Sequence, residues 1–345
     1  MNDIHIIGAG PVGCFSAISA LKNTNKNVLI SEEHSEIGKP VKCSGLISKK
    51  AVDFLSNEIN MKKCIKKKYT KAEIYIDNEK LEITAKHPMY LIDRQLFDIL
   101  CAEKAEKEGV KIELNSKIIN NYRSNLIIGA DGPLSNTANF FNFPKINKFV
   151  GTLQTNIKKE NTGIIQIFLS QKHIPGFFGW SIPQNEEEVE LGVGVRLPNN
   201  SNIAMNYLKK RLDIKKTTKI TGGLIPHEIR KTTYKKINSK HILLVGDAAG
   251  QVKRTTGGGI YYGCLCANIL GQTINQPEDY EKKWRSAYEK DLKMLSFIRS
   301  FINIQNNLTL KAGLKSFKVL GFKKVIEKHG DPESIGSMID SIFKR

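Results

Sequence analysis

Apolar and polar positions repeat with two different periods along this chain, and the period switches several times. Ile4-His5-Ile6-Ile7 is a short β-rich run, residues 12–21 are apolar at helical spacing, and Val28-Leu29-Ile30 is a second short run. With a glycine turn between the first run and the helix, residues 4–34 predict a βαβ unit. Residues 35–50 read as loop around Gly38, Pro40 and Gly45, and 62–68 as a solvated basic face. Residues 72–76 predict a strand running into a turn at Asp77-Asn78. An amphipathic helix follows over 94–108, closed by Gly109, then strands over 110–114 and 125–128. The pattern changes near residue 150. Residues 164–169 and 189–195 predict antiparallel strands around a centre rich in Pro, Gly and aromatics, and 203–212 predict a helix. Ile242-Leu243-Leu244-Val245 then predicts a fully buried strand. A glycine-rich turn opens a helix near Ile260, and from Tyr280 onward the pattern is mostly helical. The strands of a first layer are thus interrupted by a β-rich region and resumed, which predicts an α/β fold with a nucleotide domain and a substrate domain threaded through it.

The 345 residues suffice for one large or two interleaved domains. No apolar run approaches the length of a membrane span. The opening residues show no basic, apolar and cleavage segments, so no leader is expected. Six cysteines stand in no Cys-x-x-Cys or other ligand spacing, which predicts a reduced compartment and no metal site. The formal net charge is +19. Nucleic acid, an anionic membrane or an anionic substrate would each explain it, as would compositional drift toward Lys, Asn and Ile. Aromatics do not interleave with the basic runs, so no nucleic-acid partner is expected.

Five segments carry chemistry. In Gly8-x-Gly10-x-x-Gly13, the first glycine permits the tight turn, the second admits a pyrophosphate to the backbone, and the third lets the helix pack on the sheet. Glu32, nineteen residues past Gly13 at the end of the next strand, suits ribose hydroxyls. Gly246-Asp247-Ala248-Ala249-Gly250 follows the buried strand and places a carboxylate for a flavin ribityl chain. Gly257-Gly258-Gly259-Ile260 starts a helix whose N–H groups would favour negative charge on a reduced flavin. Together these two motifs point to FAD rather than NAD. Asp131, in Gly129-Ala130-Asp131-Gly132, suits a nucleotide-adjacent turn or a plain turn. Arg94 suits pyrophosphate or flavin, or an ion pair with Asp98. Cys43, in Lys42-Cys43-Ser44-Gly45, is either a proton donor beside the flavin or a structural cysteine. In Pro175-Gly176-Phe177-Phe178-Gly179-Trp180-Ser181-Ile182-Pro183, alternation puts Phe178 and Trp180 on one face, as pocket lining or as ordinary sheet packing.

In this order the five segments resemble the geranylgeranyl reductase family of flavoproteins, over residues 3–299. Glu36-Ile37-Gly38-Lys39-Pro40-Val41-Lys42-Cys43 resembles the family's cysteine loop. Phe178-x-Trp180-x-Ile182-Pro183 resembles its Tyr-x-Trp-x-Phe-Pro substrate motif, and 246–263 its flavin-proximal segment. Three residues depart from the pattern: Phe178 for Tyr, Ile182 for the second aromatic, and Arg254 where Pro is frequent. The resemblance implies an FAD-binding Rossmann-like domain interleaved with a β-rich substrate domain, similar to p-hydroxybenzoate hydroxylase, plus C-terminal helices. The expected boundaries are 1–70, 94–150 and 240–275 for the FAD domain, 71–93 and 151–239 for the substrate domain, and 276–345 for the helical region. The expected cofactor contacts are Gly8, Gly10, Gly13, Glu32, Cys43, Ser44, Gly45, Arg94, Ile118, Asp131, Asp247, Gly258, Gly259 and Ile260. Cys43 is also the expected catalytic residue, and Phe178 and Trp180 the substrate contacts.

The implied activity is FAD-dependent saturation of C=C bonds in geranylgeranyl chains, on membrane glycerolipids, with an external donor that is NAD(P)H or ferredoxin. The alternatives are an FAD-dependent monooxygenase of an apolar small molecule and a non-catalytic flavin-binding protein. Gly250, where aromatic hydroxylases usually carry His, favours the reductase over the monooxygenase. Lys311, Lys315, Lys318, Lys323 and Lys324 interleave with Leu314, Phe317, Val319, Leu320 and Phe322. That stretch reads as an anionic-membrane contact or as a solvated helix face. The expected location is cytoplasmic, peripheral on the membrane.

Overall fold

The computed structural model describes residues 3–319, with 314–319 as backbone alone. Of the basic and apolar stretch singled out above, only Lys311 has a described side chain.

The chain opens with β1 (Ile4–Ile7), α1 (Pro11–Leu21) and β2 (Val28–Ser31), followed by β3 (Leu46–Ser48) and α2 (Lys49–Leu55). A long hairpin, β4 (Ile65–Ile76) and β5 (Glu79–Ile92), turns at Asp77, whose φ is 49°. Then come α3 (Arg94–Lys107), β6 (Lys111–Glu113), β7 (Leu126–Gly129) and α4 (Asn136–Phe140). The β-rich region holds β8 (Phe149–Lys158), β9 (Ile165–Leu169), β10 (Gly179–Pro183), β11 (Glu188–Arg196), α5 (Ser201–Arg211) and β12 (Thr221–Pro226). The chain returns through β13 (Tyr234–Ile237), β14 (Lys240–Leu244) and α6 (Ile260–Gln272). It continues into α7 (Asp279–Trp284), α8 (Lys290–Ile304) and α9 (Asn307–Val319).

Two sheets result. The first has the order β13-β14-β7-β1-β2-β6 and is parallel except for β13 at its edge. All four residues of β1, β2 and β7 are buried, as suits strands covered on both faces. One face packs against α1, α3 and α6 through Ile4, Ile6, Ile30, Phe97 and Leu270; Ile7, Ile127, Phe141 and Leu244 fill the other. Each such side chain contributes about 1.5–3 kcal/mol when withdrawn from water. The order reverses at β1, with β2 and β6 on one side and β7 and β14 on the other. The crevice above the strand ends at that reversal is where open α/β sheets bind ligands. The second sheet has eight strands in the order β12-β8-β11-β10-β9-β4-β5-β3, and only β4 and β9 pair parallel.

Three segments sit elsewhere than their pattern suggested. Leu46–Ser48, within a stretch read as loop, pairs with β5. The basic run at 62–68 leads into β4, which enters the second sheet from Ile65, so its lysines alternate along a strand. Tyr234–Ile237 pairs with β14 and so joins the first sheet as its edge. For Leu46–Ser48 and the start of β4 the pairing partner is distant in sequence, which local periodicity does not see, whereas Tyr234–Ile237 pairs with the next strand across a tight turn.

Helix starts differ in a way that matters below. Asp93 caps α3 by accepting from Leu96 N at 3.0 Å, and Ser48 and Asn200 cap α2 and α5. Helices α1 and α6 have glycine N-caps and no side-chain cap, which leaves their first N–H groups to other acceptors.

Candidate functional site

A cleft of about 230 Å³ opens above the reversal point, and its walls include Gly8, Gly10, Glu32, Arg94, Ile118 and Asp131. Gly8 has φ +102°, and a Cβ there would come within 2.6 Å of the Ala130 carbonyl, so only glycine fits between β1 and β7. Gly13 lies against the Gly8 carbonyl, 2.0 Å from where its Cβ would be. A Cβ on Gly10 would meet nothing within 4 Å, so this glycine faces open space at the uncapped start of α1. A pyrophosphate fits such a cradle. Glu32 accepts from Ala9 N at 2.8 Å and from His34 N at 3.0 Å, while Glu33 turns away to Lys117 at 3.2 Å. Asp131 accepts from Thr137 N at 2.8 Å and from the Ser135 hydroxyl at 2.5 Å, so it braces the start of α4 beside the cleft. Burial pushes its carboxyl above the ordinary range.

The distant second motif comes up beside the α1 wall of this cleft because α6 packs on α1. A Cβ on Gly263 would come within 2.6 Å of Val12, and Gly246 also lies against Val12. The Gly246-Asp247 turn is held by Gln251, whose Oε1 accepts from Gly246 N at 2.8 Å and whose Nε2 donates to the Tyr280 hydroxyl at 3.0 Å. Asp247 stands beside Gly259, at the uncapped start of α6, with Gly258 over the Lys253 stem. Burial pushes the Asp247 carboxyl up to about 6, against the opposing charge of Arg94.

Arg94 is the hub. Its Nη2 donates to both Asp98 oxygens, at 3.1 and 3.2 Å, the Cys43 side chain lies beside it, and its charge also acts on Asp247. Cys43 is half-buried, whereas the other five cysteines are buried and their thiols are pushed up by burial. Its Sγ accepts from Gly45 N at 3.4 Å, and Gly45 itself is wedged against the Ile92 carbonyl.

The facing wall is one face of the second sheet. Antiparallel register puts Trp180 opposite Gly192 and Ile182 opposite Glu190, so Phe178, Trp180, Ile182 and Glu190 share that face. The Trp180 ring lies over Gly192, 2.2 Å from where a Cβ would be, and Phe178 packs edge-on to it with ring centroids 5.9 Å apart. The cysteine loop adjoins this wall through Lys42, whose Cβ is 3.5 Å from the Gly223 Cβ position. The glycine-rich turn before α6 adjoins it where Gly257 meets Phe177 and Ile225. The residues singled out by sequence therefore fall on two facing surfaces: the glycine motifs, Glu32, Arg94, Asp131 and Asp247 on one, Phe178 and Trp180 on the other. The 42–45 loop touches both.

No family model matches the chain. An uncharacterised protein of Methanocaldococcus jannaschii is 30% identical over 383 residues, covering 99% of this chain and 95% of that protein. The digeranylgeranylglycerophospholipid reductase of the same organism is 25% identical, covering 84% of each, and that of Methanococcus vannielii is 26% identical, covering 83% and 81%. The chain belongs to the geranylgeranyl reductase family of flavoproteins. Members are FAD-dependent oxidoreductases, and FAD is the cofactor here. Among solved structures, a geranylgeranyl bacteriochlorophyll reductase-like protein of Thermoplasma acidophilum aligns with a TM-score of 0.80 at 20% identity over 91% of this chain and 90% of that one. The FAD-dependent monooxygenase PqsL of Pseudomonas aeruginosa aligns at 0.66 with 13% identity, covering 91% and 99%, and shares the fold alone. The family's relatives are named as reductases, which disfavours the monooxygenase reading.

Within this family site, sequence reasoning passed over four side chains. Glu190, 7% exposed, receives a hydrogen bond from the Trp180 indole at 3.0 Å, and burial pushes its carboxyl up to about 7. Arg299 stacks on Phe177 and Phe178, with 5.0 and 5.6 Å from guanidinium to ring centroids. His227 and Gln251 are buried beside the same turn. Two of these had a visible signal. Glu190 interrupts an apolar strand, and Arg299 interrupts the apolar face of α8.

Proposed function

We propose that the chain saturates C=C bonds of geranylgeranyl chains carried on membrane glycerolipids. When bound and reduced, FAD supplies the hydride. Gly10 and the uncapped start of α1 hold the pyrophosphate, Glu32 the ribose, and Asp247 the ribityl hydroxyls. The N–H groups at the start of α6 favour negative charge at the pyrimidine edge. Gly8, Gly13, Ser44, Gly45, Ile118, Gly258 and Gly259 shape the cradle, and Asp131 and Ile260 fix the elements that carry it.

An isolated alkene is a poor hydride acceptor, so positioning and exclusion of water must lower much of the barrier. Phe178 and Trp180 line the apolar wall that holds the chain. Cys43 holds the proton for the second carbon on its Sγ, and the thiolate left behind faces the Arg94 guanidinium. The observation that carries this reading is the position of the one half-buried thiol in the loop that touches both facing surfaces. Reducing equivalents come from an external donor, NAD(P)H or ferredoxin.

A lipid substrate requires contact with a bilayer. Among the described residues no helix is long and apolar enough to cross one. Phe297, Phe301 and Ile304 form an exposed stripe at helical spacing along α8, and Leu308 at the start of α9 is also exposed; Lys290 and Lys293 lie near Phe297. Such a face lies on an anionic surface with its phenyl rings in the headgroup region.

The test is anaerobic incubation of reduced holoprotein with digeranylgeranylglycerophospholipid in vesicles. Mass spectrometry should show a gain of two hydrogens per reduced double bond. A Cys43→Ala variant that keeps its FAD should show none, and unchanged lipid with the parent protein would refute the reading.

A further inference from the structure

Beside the apolar wall lies a cluster of cations and polar atoms that the reductase reading does not use. Arg299, from α8, is 3% exposed. Its Nε donates to the Arg254 carbonyl at 3.2 Å, its Nη2 donates to the Thr255 carbonyl, and its Nη1 is buried with no hydrogen-bond partner among the described residues. His227, 1% exposed, donates through Nε2 to the same Arg254 carbonyl at 3.3 Å, and its Nδ1 is likewise unpartnered. The Arg254 Nε and Thr255 Oγ1 complete the group.

Buried polar atoms are almost always paired, and an arginine cannot shed its charge to escape burial. Here two guanidiniums repel each other. Burial lowers Arg299, Arg254 and His227; the charge of Arg254 adds to this at Arg299 and His227, and that of Arg196, at the surface, adds to it at Arg254 and His227. Among the described residues the one carboxylate acting on Arg254 is Glu228, which accepts from Asn147 N, and none offsets Arg299. Three guanidiniums thus run from the surface inward, through half-buried Arg254, to a buried one stacked on Phe177 and Phe178. Several unpartnered N–H and O–H donors on a net positive site fit an anion with several acceptor oxygens.

We propose that Arg254, Arg299 and Thr255 form a binding site for a phosphate group, at the edge of the apolar wall. The site deepens the lipid-reductase reading and rests on it for one point: a phosphate held here leaves the attached isoprenoid chain beside Phe178 and Trp180. Neutral His227 accepts through Nδ1 from a protonated phosphate oxygen. The same chemistry is offered by the headgroup of a phosphoglycerolipid and by the phosphate of a nicotinamide donor.

The experiment uses the FAD-loaded protein and two variants. Arg254→Gln removes a side chain whose backbone carbonyl, not its guanidinium, holds Arg299 and His227. Arg299→Lys keeps the charge and loses the fork. Binding is measured by equilibrium titration, without turnover, against digeranylgeranylglycerol with and without its phosphate, and against NADPH and NADH. The parent should bind the phosphorylated lipid about tenfold or more tightly than the phosphate-free one, and Arg254→Gln should erase that preference with the flavin spectrum unchanged. Arg299→Lys should weaken it by a smaller factor. Loss of an NADPH-over-NADH preference instead would assign the same phosphate site to the donor. Equal affinities of parent and Arg254→Gln for all four ligands would overturn the proposal. Because the readout is binding, a protein that reduces no lipid would still answer it.

Discussion

At the strand ends of the first sheet, Glu32, Asp131 and Gln251 all accept from backbone N–H groups of their own layer. On the facing wall, Glu190 is bonded among the described residues to the Trp180 indole alone, and Arg299 and His227 each carry an unpartnered nitrogen. The first surface fixes these side chains within its own layer and leaves for a ligand the backbone N–H groups at two uncapped helix starts. The second surface keeps polar groups in reserve and spends its close packing on rings. Trp180 fills the space over Gly192, and Phe177 that over Gly194. A cofactor that stays bound is served by a rigid cradle, while a substrate that comes and goes is served by groups whose pairing it completes.

Substitutions should separate the two surfaces. The largest effect is expected from Gly13→Val. Its Cβ would sit 2.0 Å from the Gly8 carbonyl, so α1 must move away from β1. FAD content of the purified protein should fall to near zero, and a normal flavin spectrum would break the account of the cradle. Next is Cys43→Ala, for which alkene reduction should fall about 100-fold or more while bound FAD is retained, the range for losing a positioned proton donor. Gly192→Ala should displace the Trp180 ring and cost about 1–3 kcal/mol of stability, read from urea unfolding, with FAD affinity unchanged.

Glu190→Gln should alter the pH profile. The folded carboxyl titrates near 7 against 4.5 for a free one, so burial penalises its charged form. Its contribution is therefore most favourable below pH 4.5 and is lost as pH rises toward 7, by on the order of 3 kcal/mol. The glutamine variant should lack that decline. A double Phe297→Ser, Phe301→Ser change should have the smallest effect on the isolated protein, lowering vesicle co-sedimentation while leaving FAD content and thermal unfolding intact.

The first surface was largely legible in the sequence because its parts are local. Gly8 to Gly13, Glu32 and the Gly246-Asp247 turn each sit at a strand–turn–helix junction whose geometry follows from a few neighbouring residues. The ion pair of Arg94 with Asp98 follows from helical spacing, and alternation alone places Phe178 and Trp180 on one face. What sequence did not reveal depends on pairing across the fold. Glu190 becomes a partner of Trp180 only through the β10–β11 register, and Arg299 meets Arg254 and Phe178 only because α8 returns over the second sheet. Strand β3 and the start of β4 were hidden for the same reason, since their partner is the far arm of a long hairpin.

The central claim is that the reduced flavin in this cleft gives its electrons to an isoprenoid double bond. Anaerobic stopped-flow mixing of photoreduced holoprotein with digeranylgeranylglycerophospholipid vesicles tests it directly. The account predicts that oxidised-flavin absorbance returns with the lipid alone, in proportion to the double bonds lost, and that Cys43→Ala stays reduced. Absorbance that returns only when oxygen is admitted would contradict it.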